Sequence, residues 1–149
     1  MSKQAEGELI LKLYELRREE TMRKARDWYF MEFNPESMED FNRAMYSEHS
    51  GHLRMVLTYW DMAAALVNHG AISADLFNAA NGEHIGVFSK IERLLPEIRT
   101  ELQPQFLGNL EKLIDSTPGV RERLSTMRER MKGVRARAAE AMQKASAPQ

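Results

Sequence analysis

Two Glu-His pairs are the residues of this chain whose types and spacing could do chemistry. The sequence contains Glu48-His49, with His52 one helical turn later, and Glu83-His84. Carboxylate and imidazole groups are ligands for divalent transition metals, so convergence of the two pairs would create a metal site. In that case the chain would be a small-ligand or divalent-metal-binding helical protein, and the same side chains could serve an enzyme.

The spacing around the pairs is also typical of an ordinary helix start. Di-iron bundles use a Glu-x-x-His spacing, whereas here glycine follows each glutamate by three residues, at Gly51 and Gly86. Neighbouring residues project about 100° apart on a helix, so an adjacent Glu and His do not easily face one centre. A glutamate in a first turn is stabilised by the helix dipole and by free backbone N–H groups. We favour this interpretation and assign no catalytic residue, cofactor or metal ligand.

The two pairs lie in segments that resemble each other. Each segment has a serine, an acid two residues later, then Phe-Asn and an alanine ahead of the Glu-His pair. The segments begin at Ser37 and Ser73, an offset of 36 residues (73 − 37), which falls to 35 (83 − 48) at the pairs. This echo favours a duplicated helical hairpin over residues 37–69 and 73–98. Independent use of the same capping chemistry is the alternative.

The element that must position both pairs is the apolar segment Leu53–Val67. Its strongly polar residues are spaced by four and three, so they share one narrow stripe of a helix: Arg54, Thr58 and Asp61. The other faces of this helix are apolar and must be buried by neighbouring elements. This pattern predicts the central helix of a bundle. A buried Asp61–Arg54 contact could be functional, but a polar seam or an exposed stripe is the commoner arrangement.

The remaining segments read as helices around this centre. A long helix over residues 6–33 should end at Asn34-Pro35, and serines at 37 and 73 should cap two short helices. Pro96 predicts a kink or break near Leu95 in the helix that follows. Further helices are expected to begin at Pro104 and at Thr117-Pro118. No window alternates like a strand, so we predict an all-α, compact bundle of about six or seven helices.

Four aromatic residues mark the end of the long first helix: Trp28, Tyr29, Phe30 and Phe33. They could line a pocket for a flat ligand. Aromatic residues at helical spacing are more often core, which is the interpretation favoured here.

The C-terminal segment carries a basic heptad pattern. From Val120, apolar residues recur at alternating steps of four and three as far as Ala145. Residues 118–149 contain eight Lys and Arg against three Glu, a charge of +5 (8 − 3). We divide the chain into a helical bundle, 1–116, and this helix, 117–149. The helix could dock on its own bundle, pair with a second copy, or bind an acidic partner or anionic membrane.

Composition narrows the class of protein. The 149 residues suit one domain, and the absence of cysteine excludes disulfides and thiolate sites. The formal net charge of −1 gives no electrostatic argument for nucleic acid or membrane, and we expect neither as a partner. The N-terminus has neither a secretory nor a membrane-spanning apolar run, so we expect a cytoplasmic protein.

Three stretches of the sequence resemble a family of uncharacterised bacterial helical proteins, a domain of unknown function: LYELRREE, RKARDWYF and FNRAMYSEHSGHLRMVLTYWDMAAALV. The resemblance covers about Glu8 to Ile114, with the C-terminal helix outside it or variable. It implies a stand-alone, all-helical, cytoplasmic protein. It implies no activity, ligand or catalytic residue.

Three functions follow from these patterns. The first is a non-enzymatic structural or interaction module that self-associates as a homo-oligomer, with a dimer through the C-terminal helix as one form. The second is the ligand- or metal-binding protein using Glu48, His49, Glu83 and His84. The third is a basic arm that binds acidic partners.

Overall fold

The computed structural model describes residues 2–148, which form nine α-helices, two short 3₁₀ helices and no strand. The all-α prediction is confirmed. The α-helices in chain order are α1 (Lys3–Arg17), α2 (Glu20–Met31), α3 (Met38–Met45), α4 (Ser50–Asn68), α5 (Ala74–Ala80), α6 (Glu83–Ile91), α7 (Leu95–Glu101), α8 (Gly108–Ser116) and α9 (Leu124–Ser146). The 3₁₀ helices are Glu92–Leu94 and Arg121–Arg123.

Helix α4 is the central helix that the apolar segment predicts. It packs mainly against α2 and α8, and it buries a continuous set of apolar side chains that includes Leu53, Trp60 and Ala64, each 0% exposed. Arg54 and Thr58 lie on its exposed stripe. The helix ends at His69-Gly70, where Gly70 adopts a φ of +84° that a glycine tolerates without strain.

The predicted long first helix is wrong, because the chain breaks between α1 and α2. Glu19 has an extended backbone, and its carboxylate accepts hydrogen bonds from the Thr21 and Met22 amides, both at 3.0 Å. A carboxylate in this position caps a new helix. The periodicity of the charged run conceals the break, since charged residues are good helix formers on either side of it.

The expected break near Leu95 is confirmed. The 3₁₀ helix Glu92–Leu94 separates α6 from α7, and Pro96 lies in the first turn of α7, where its missing N–H costs no hydrogen bond. This break and the one at Glu19 together account for nine helices where about six or seven are predicted.

Two predicted helix starts are wrong. Residues 103–107 form a turn that ends with buried Leu107 at a φ of +55°, so α8 begins at Gly108 and not at Pro104. Asp61 of α4 supplies the cap, because its carboxylate accepts from the Leu110 amide at 2.9 Å. Likewise α9 begins at Leu124, after a turn and a 3₁₀ helix, and not at Thr117-Pro118. The Asp61 carboxylate thus joins α4 to α8 and makes no contact with Arg54.

The two segments of the sequence echo form the same order of elements. The Ser37 hydroxyl accepts from the Asp40 amide at 3.2 Å, and the Ser73 hydroxyl accepts from the Leu76 amide at 3.3 Å. Each serine therefore caps a short helix, which is followed by a longer one. Phe41 and Phe77 are both 0% exposed. The duplication of 37–69 in 73–98 stays a prediction.

Candidate functional site

Glu83, the first residue of α6, forms a two-oxygen ion pair with Arg26 of α2. The Arg26 Nη2 lies 2.7 Å from Glu83 Oε1 and its Nε lies 3.0 Å from Oε2. The Trp60 indole N–H of α4 also donates to Oε2, at 3.1 Å. The hydrogen bonds from Arg26 to Glu83 raise the pKa of the guanidinium. Glu83 therefore joins three helices, and its side chain is not directed at a backbone N–H of its own first turn.

Glu48 and His49 lie in the turn before α4, in a different environment. The Glu48 side chain is 87% exposed, and its carboxylate lies 3.6 Å from His49 Nε2. The His49 ring stacks on Trp28, with centroids 5.1 Å apart and an interplanar angle of 18°. His52 lies against the same indole. This pair therefore belongs to an aromatic surface beside α2.

His84 is buried, with 1% of its surface exposed, and it lies between the rings of Trp60 and Phe77. Its Nδ1 has no hydrogen-bond partner among the described residues. Burial among these rings lowers the pKa of His84 to about 4, so the imidazole is neutral at ordinary pH. It is a core residue of the bundle.

The two Glu-His pairs are thus placed against different partners. Glu83 and His84 contact Arg26, Trp60 and Phe77, while Glu48 and His49 contact each other and Trp28. Across residues 2–148, no group of three or more His, Asp or Glu side chains is arranged to hold a metal ion.

The aromatic cluster at the end of α2 is mainly core, as predicted. Tyr29 is fully buried and donates its hydroxyl to the Val87 carbonyl oxygen at 2.6 Å, and Phe33 is 4% exposed. Burial raises the pKa of Tyr29 well above its usual value. Trp28 and Phe33 also border an open cleft of about 400 Å³ beside α3.

Lys90 of α6 is a buried cation that sequence reasoning missed. Its ammonium lies within 2.7 to 3.1 Å of the carbonyl oxygens of Tyr29, Phe30 and Phe33 and of the Asn34 side-chain oxygen. These oxygens lie in the last turn of α2 and just beyond it, where the helix dipole favours a positive charge. Burial and the nearby charge of Arg135 lower the pKa of Lys90 to about 7. The signal in the sequence was a single lysine within the apolar run Val87–Ile91.

A basic cleft opens beside Lys90, between the loop after α2 and helix α9. Five cationic residues line it against one acid, Glu36: Lys90, Arg93, Arg128, Lys132 and Arg135. The cleft has a volume of about 30 Å³. These cations come from separate parts of the sequence, so no local sequence motif predicts the cleft.

The first half of α9 docks on the chain's own bundle. Leu124 is 1% exposed, and Met131 packs so close to Gly86 of α6 that a methyl group on this glycine would lie 3.6 Å from the methionine sulfur. Arg128 donates to the Glu92 carboxylate at 2.7 Å and to the Ser89 carbonyl at 3.0 Å. The first half of α9 therefore packs on its own bundle, which is one of the three arrangements considered for this helix.

The second half of α9, Val134–Ser146, is named here the exposed arm. Val134 continues the heptad pattern but is 50% exposed, and every residue from 139 to 148 is exposed. The apolar positions that follow Leu124 and Met131 therefore continue along the arm, where Val134, Ala141 and Ala145 are exposed and Ala138 is partly exposed.

None of the helices within residues 2–148 has both the length and the apolar character needed to cross a bilayer.

Comparison with known proteins places the chain in a family. A family model described as a domain of unknown function (DUF4760) matches residues 4–117, and the chain belongs to this family. The match ends before α9, in line with the expectation that the similarity does not extend to the C-terminal helix. No curated protein and no solved structure matches the chain.

Proposed function

We propose that this protein is a non-enzymatic interaction module that self-associates through the exposed arm of α9. The apolar residues of α9 that recur at heptad spacing are named here the heptad seam. The observation that supports the proposal is that this seam continues beyond the part of α9 that packs on the bundle. With Leu124 at heptad position a, Val134 and Ala141 are at d and Ala138 and Ala145 are at a. A second copy offers the same uncovered face, so a two-fold pair would cover both seams at once.

The size of the seam implies a reversible dimer. At 1.5 Å per residue, the arm is about 20 Å long, and stable interfaces usually bury about 1,200–2,000 Å². Alanine lets two helices approach closely but contributes little apolar area per residue. We therefore expect a concentration-dependent equilibrium between monomer and dimer.

The charges beside the seam set its salt dependence. Positions e and g of the arm hold Arg135, Arg137 and Lys144, with Met142 as the fourth residue. Like charges along a self-paired seam repel, and salt screens them over about 8 Å at physiological ionic strength. Self-association should therefore strengthen as salt is added.

Sedimentation equilibrium of the full chain tests the proposal. The average mass should rise from 17.2 kDa towards twice that value as protein concentration increases. Ala141→Arg, on the seam, should remove the rise because it adds bulk and charge between the helices. Ala139→Arg is the matched control, since Ala139 is also exposed but lies off the seam at position b. A constant monomer mass, or equal behaviour of the two variants, would contradict self-association through the arm.

The second candidate function is binding of an acidic helical partner through the same arm. The basic residues at positions e and g favour it, because acidic residues of a partner helix would pair with them. Such binding weakens with added salt, whereas self-association strengthens, so the sign of the salt effect separates the two.

The third candidate, ligand or metal binding through Glu48, His49, Glu83 and His84, gains no support from the positions of these side chains. Elemental analysis of protein purified without chelator would test it directly. We further propose that the protein acts in the bacterial cytoplasm as a homo-oligomer. The resemblance to bacterial helical proteins supports that location.

A further inference from the structure

We propose that the basic cleft between α9 and the loop after α2 binds a phosphate group. The lining brings five cationic side chains from α6, the 3₁₀ helix Glu92–Leu94 and α9 around one small space. A tetrahedral oxyanion has the charge and the acceptor oxygens that guanidinium and ammonium groups recognise. This binding site does not depend on self-association through the arm.

The charge balance of the cleft supports an anionic occupant. Arg128 is neutralised by Glu92 at 2.7 Å, and Arg93 lies 3.8 Å from Glu36. Lys132 has only an exposed contact with Glu129, at 3.4 Å. Arg135 has neither a hydrogen bond nor an ion pair with any residue between 2 and 148. Two positive charges, on Lys132 and Arg135, therefore face the cleft without a strong counter-charge inside it.

Lys90 makes this imbalance more costly. Lys90 is 5% exposed, and the positive charge of Arg135 adds to the effect of burial in disfavouring its protonated form. Bringing a cation close to a buried ammonium is unfavourable unless an anion lies between or beside them. A bound phosphate would supply that anion and would also raise the pKa of Lys90.

The dimensions of the cleft favour a small group. A single water needs about 10–15 Å³ of such space, and the cleft offers about 30 Å³. That is room for two or three water-sized atoms, which suits the oxygens that a phosphate turns towards the cations, with the rest of the ligand outside the cleft. We therefore take inorganic phosphate as the probe.

Calorimetric titration of the full chain with sodium phosphate, against sodium chloride at equal ionic strength, tests the proposal. We expect saturable binding of one phosphate per chain. The double variant Lys132→Gln/Arg135→Gln should weaken it by about tenfold or more, because it removes the two cations without strong partners. Arg137→Gln is the control, since it removes a positive charge from the same helix outside the cleft.

Nuclear magnetic resonance of the Lys90 side chain gives a second, local measurement. Phosphate should raise the Lys90 pKa in the natural sequence and in Arg137→Gln, and should leave it unchanged in the double variant. Thermal unfolding without phosphate establishes that the double variant is folded.

Vesicles distinguish a free phosphate from a lipid headgroup as its source. Sedimentation is compared for phosphatidylcholine vesicles with and without phosphatidic acid. Binding of free phosphate alone supports a soluble ligand. Binding to phosphatidic acid that is lost in the double variant and competed by phosphate supports a headgroup. No saturable binding in either experiment, or binding that the double variant retains at full strength, would overturn the proposal.

Discussion

Arg26 and Glu83 lie 57 positions apart in the sequence and meet through three hydrogen bonds, the shortest of 2.7 Å. Their side chains are 28% and 23% exposed, so solvent only partly screens the pair. The same carboxylate accepts the Trp60 indole N–H, which would otherwise be buried without a partner. Glu83 of α6 therefore holds α2 and α4 to α6 through its hydrogen bonds.

Removal of this carboxylate should destabilise the fold. Glu83→Ala is expected to lower the free energy of unfolding by about 2 kcal/mol, because it leaves Arg26 and the indole N–H unpaired. The control is Glu48→Ala at the equivalent position of the sequence echo, which should change stability by less than about 0.5 kcal/mol because Glu48 is exposed. Urea unfolding measures both. Equal effects of the two substitutions would show that the Arg26–Glu83 ion pair does not contribute measurably to the free energy of unfolding.

His84 should make the fold sensitive to acid. Its pKa is about 4 in the folded chain and about 6.5 in an unfolded one. Between these values the unfolded chain binds a proton that the folded chain does not, so stability falls as pH is lowered through this window. The loss amounts to roughly 3 kcal/mol once the pH is below both values.

The variant His84→Leu, of similar volume, should reduce the loss of stability between pH 6.5 and 4. The control is replacement of His69 by glutamine, which removes an imidazole from the exposed end of α4 rather than from the core. Urea unfolding across this pH range measures both variants. Parallel profiles for the natural chain and His84→Leu would contradict the assignment of a neutral, buried imidazole.

Lys90 should be important for the end of α2. Lys90→Met, measured at pH 6, is expected to cost about 2–4 kcal/mol, since it leaves carbonyl oxygens of Tyr29 and Phe33 buried without a donor. Lys24→Met on α2 is the matched control. Its side chain is 68% exposed, and its ammonium pairs only with Glu20 within the described chain. A cost below about 1 kcal/mol at Lys90 would mean that water replaces the lost donor.

The two halves of α9 should respond differently to the loss of seam residues. Leu124→Ala should cost about 2–4 kcal/mol, because Leu124 is 1% exposed and its removal leaves a cavity. Val134→Ala should change the stability of the monomer by less than about 0.5 kcal/mol, because Val134 is half exposed. Thermal unfolding at low protein concentration measures both. A similar loss for both would mean that the exposed arm also packs on the bundle.

Local patterns in the sequence were sufficient for the elements that depend on neighbouring residues. The apolar run Leu53–Val67 specified the central helix, because a helix without a wide polar face must be covered on nearly all sides. Ser37 and Ser73 specified two helix starts, because a capping hydroxyl acts on an amide three residues away. Pro96 located the break before α7 for a similarly local reason.

Tertiary contacts decided the elements whose partners lie far along the chain. The start of α8 depends on Asp61 of α4, and no pattern near Pro104 could reveal that cap. The different roles of Glu48 and Glu83 depend on Arg26 and Trp60, which approach only Glu83. The echo gave the two glutamates the same local sequence, but packing gave one a buried partner and left the other in solvent.

The sequence by itself determined that this chain is helical, where its central helix lies, and that its last helix carries a basic heptad seam. These properties follow from periodicity and charge, which any stretch of chain expresses on its own. Only the tertiary structure decided that the seam is half docked and half exposed, and that Lys90 and Arg135 share a cleft. Both depend on where α9 crosses α6, a relationship between surfaces distant in sequence that local patterns do not encode.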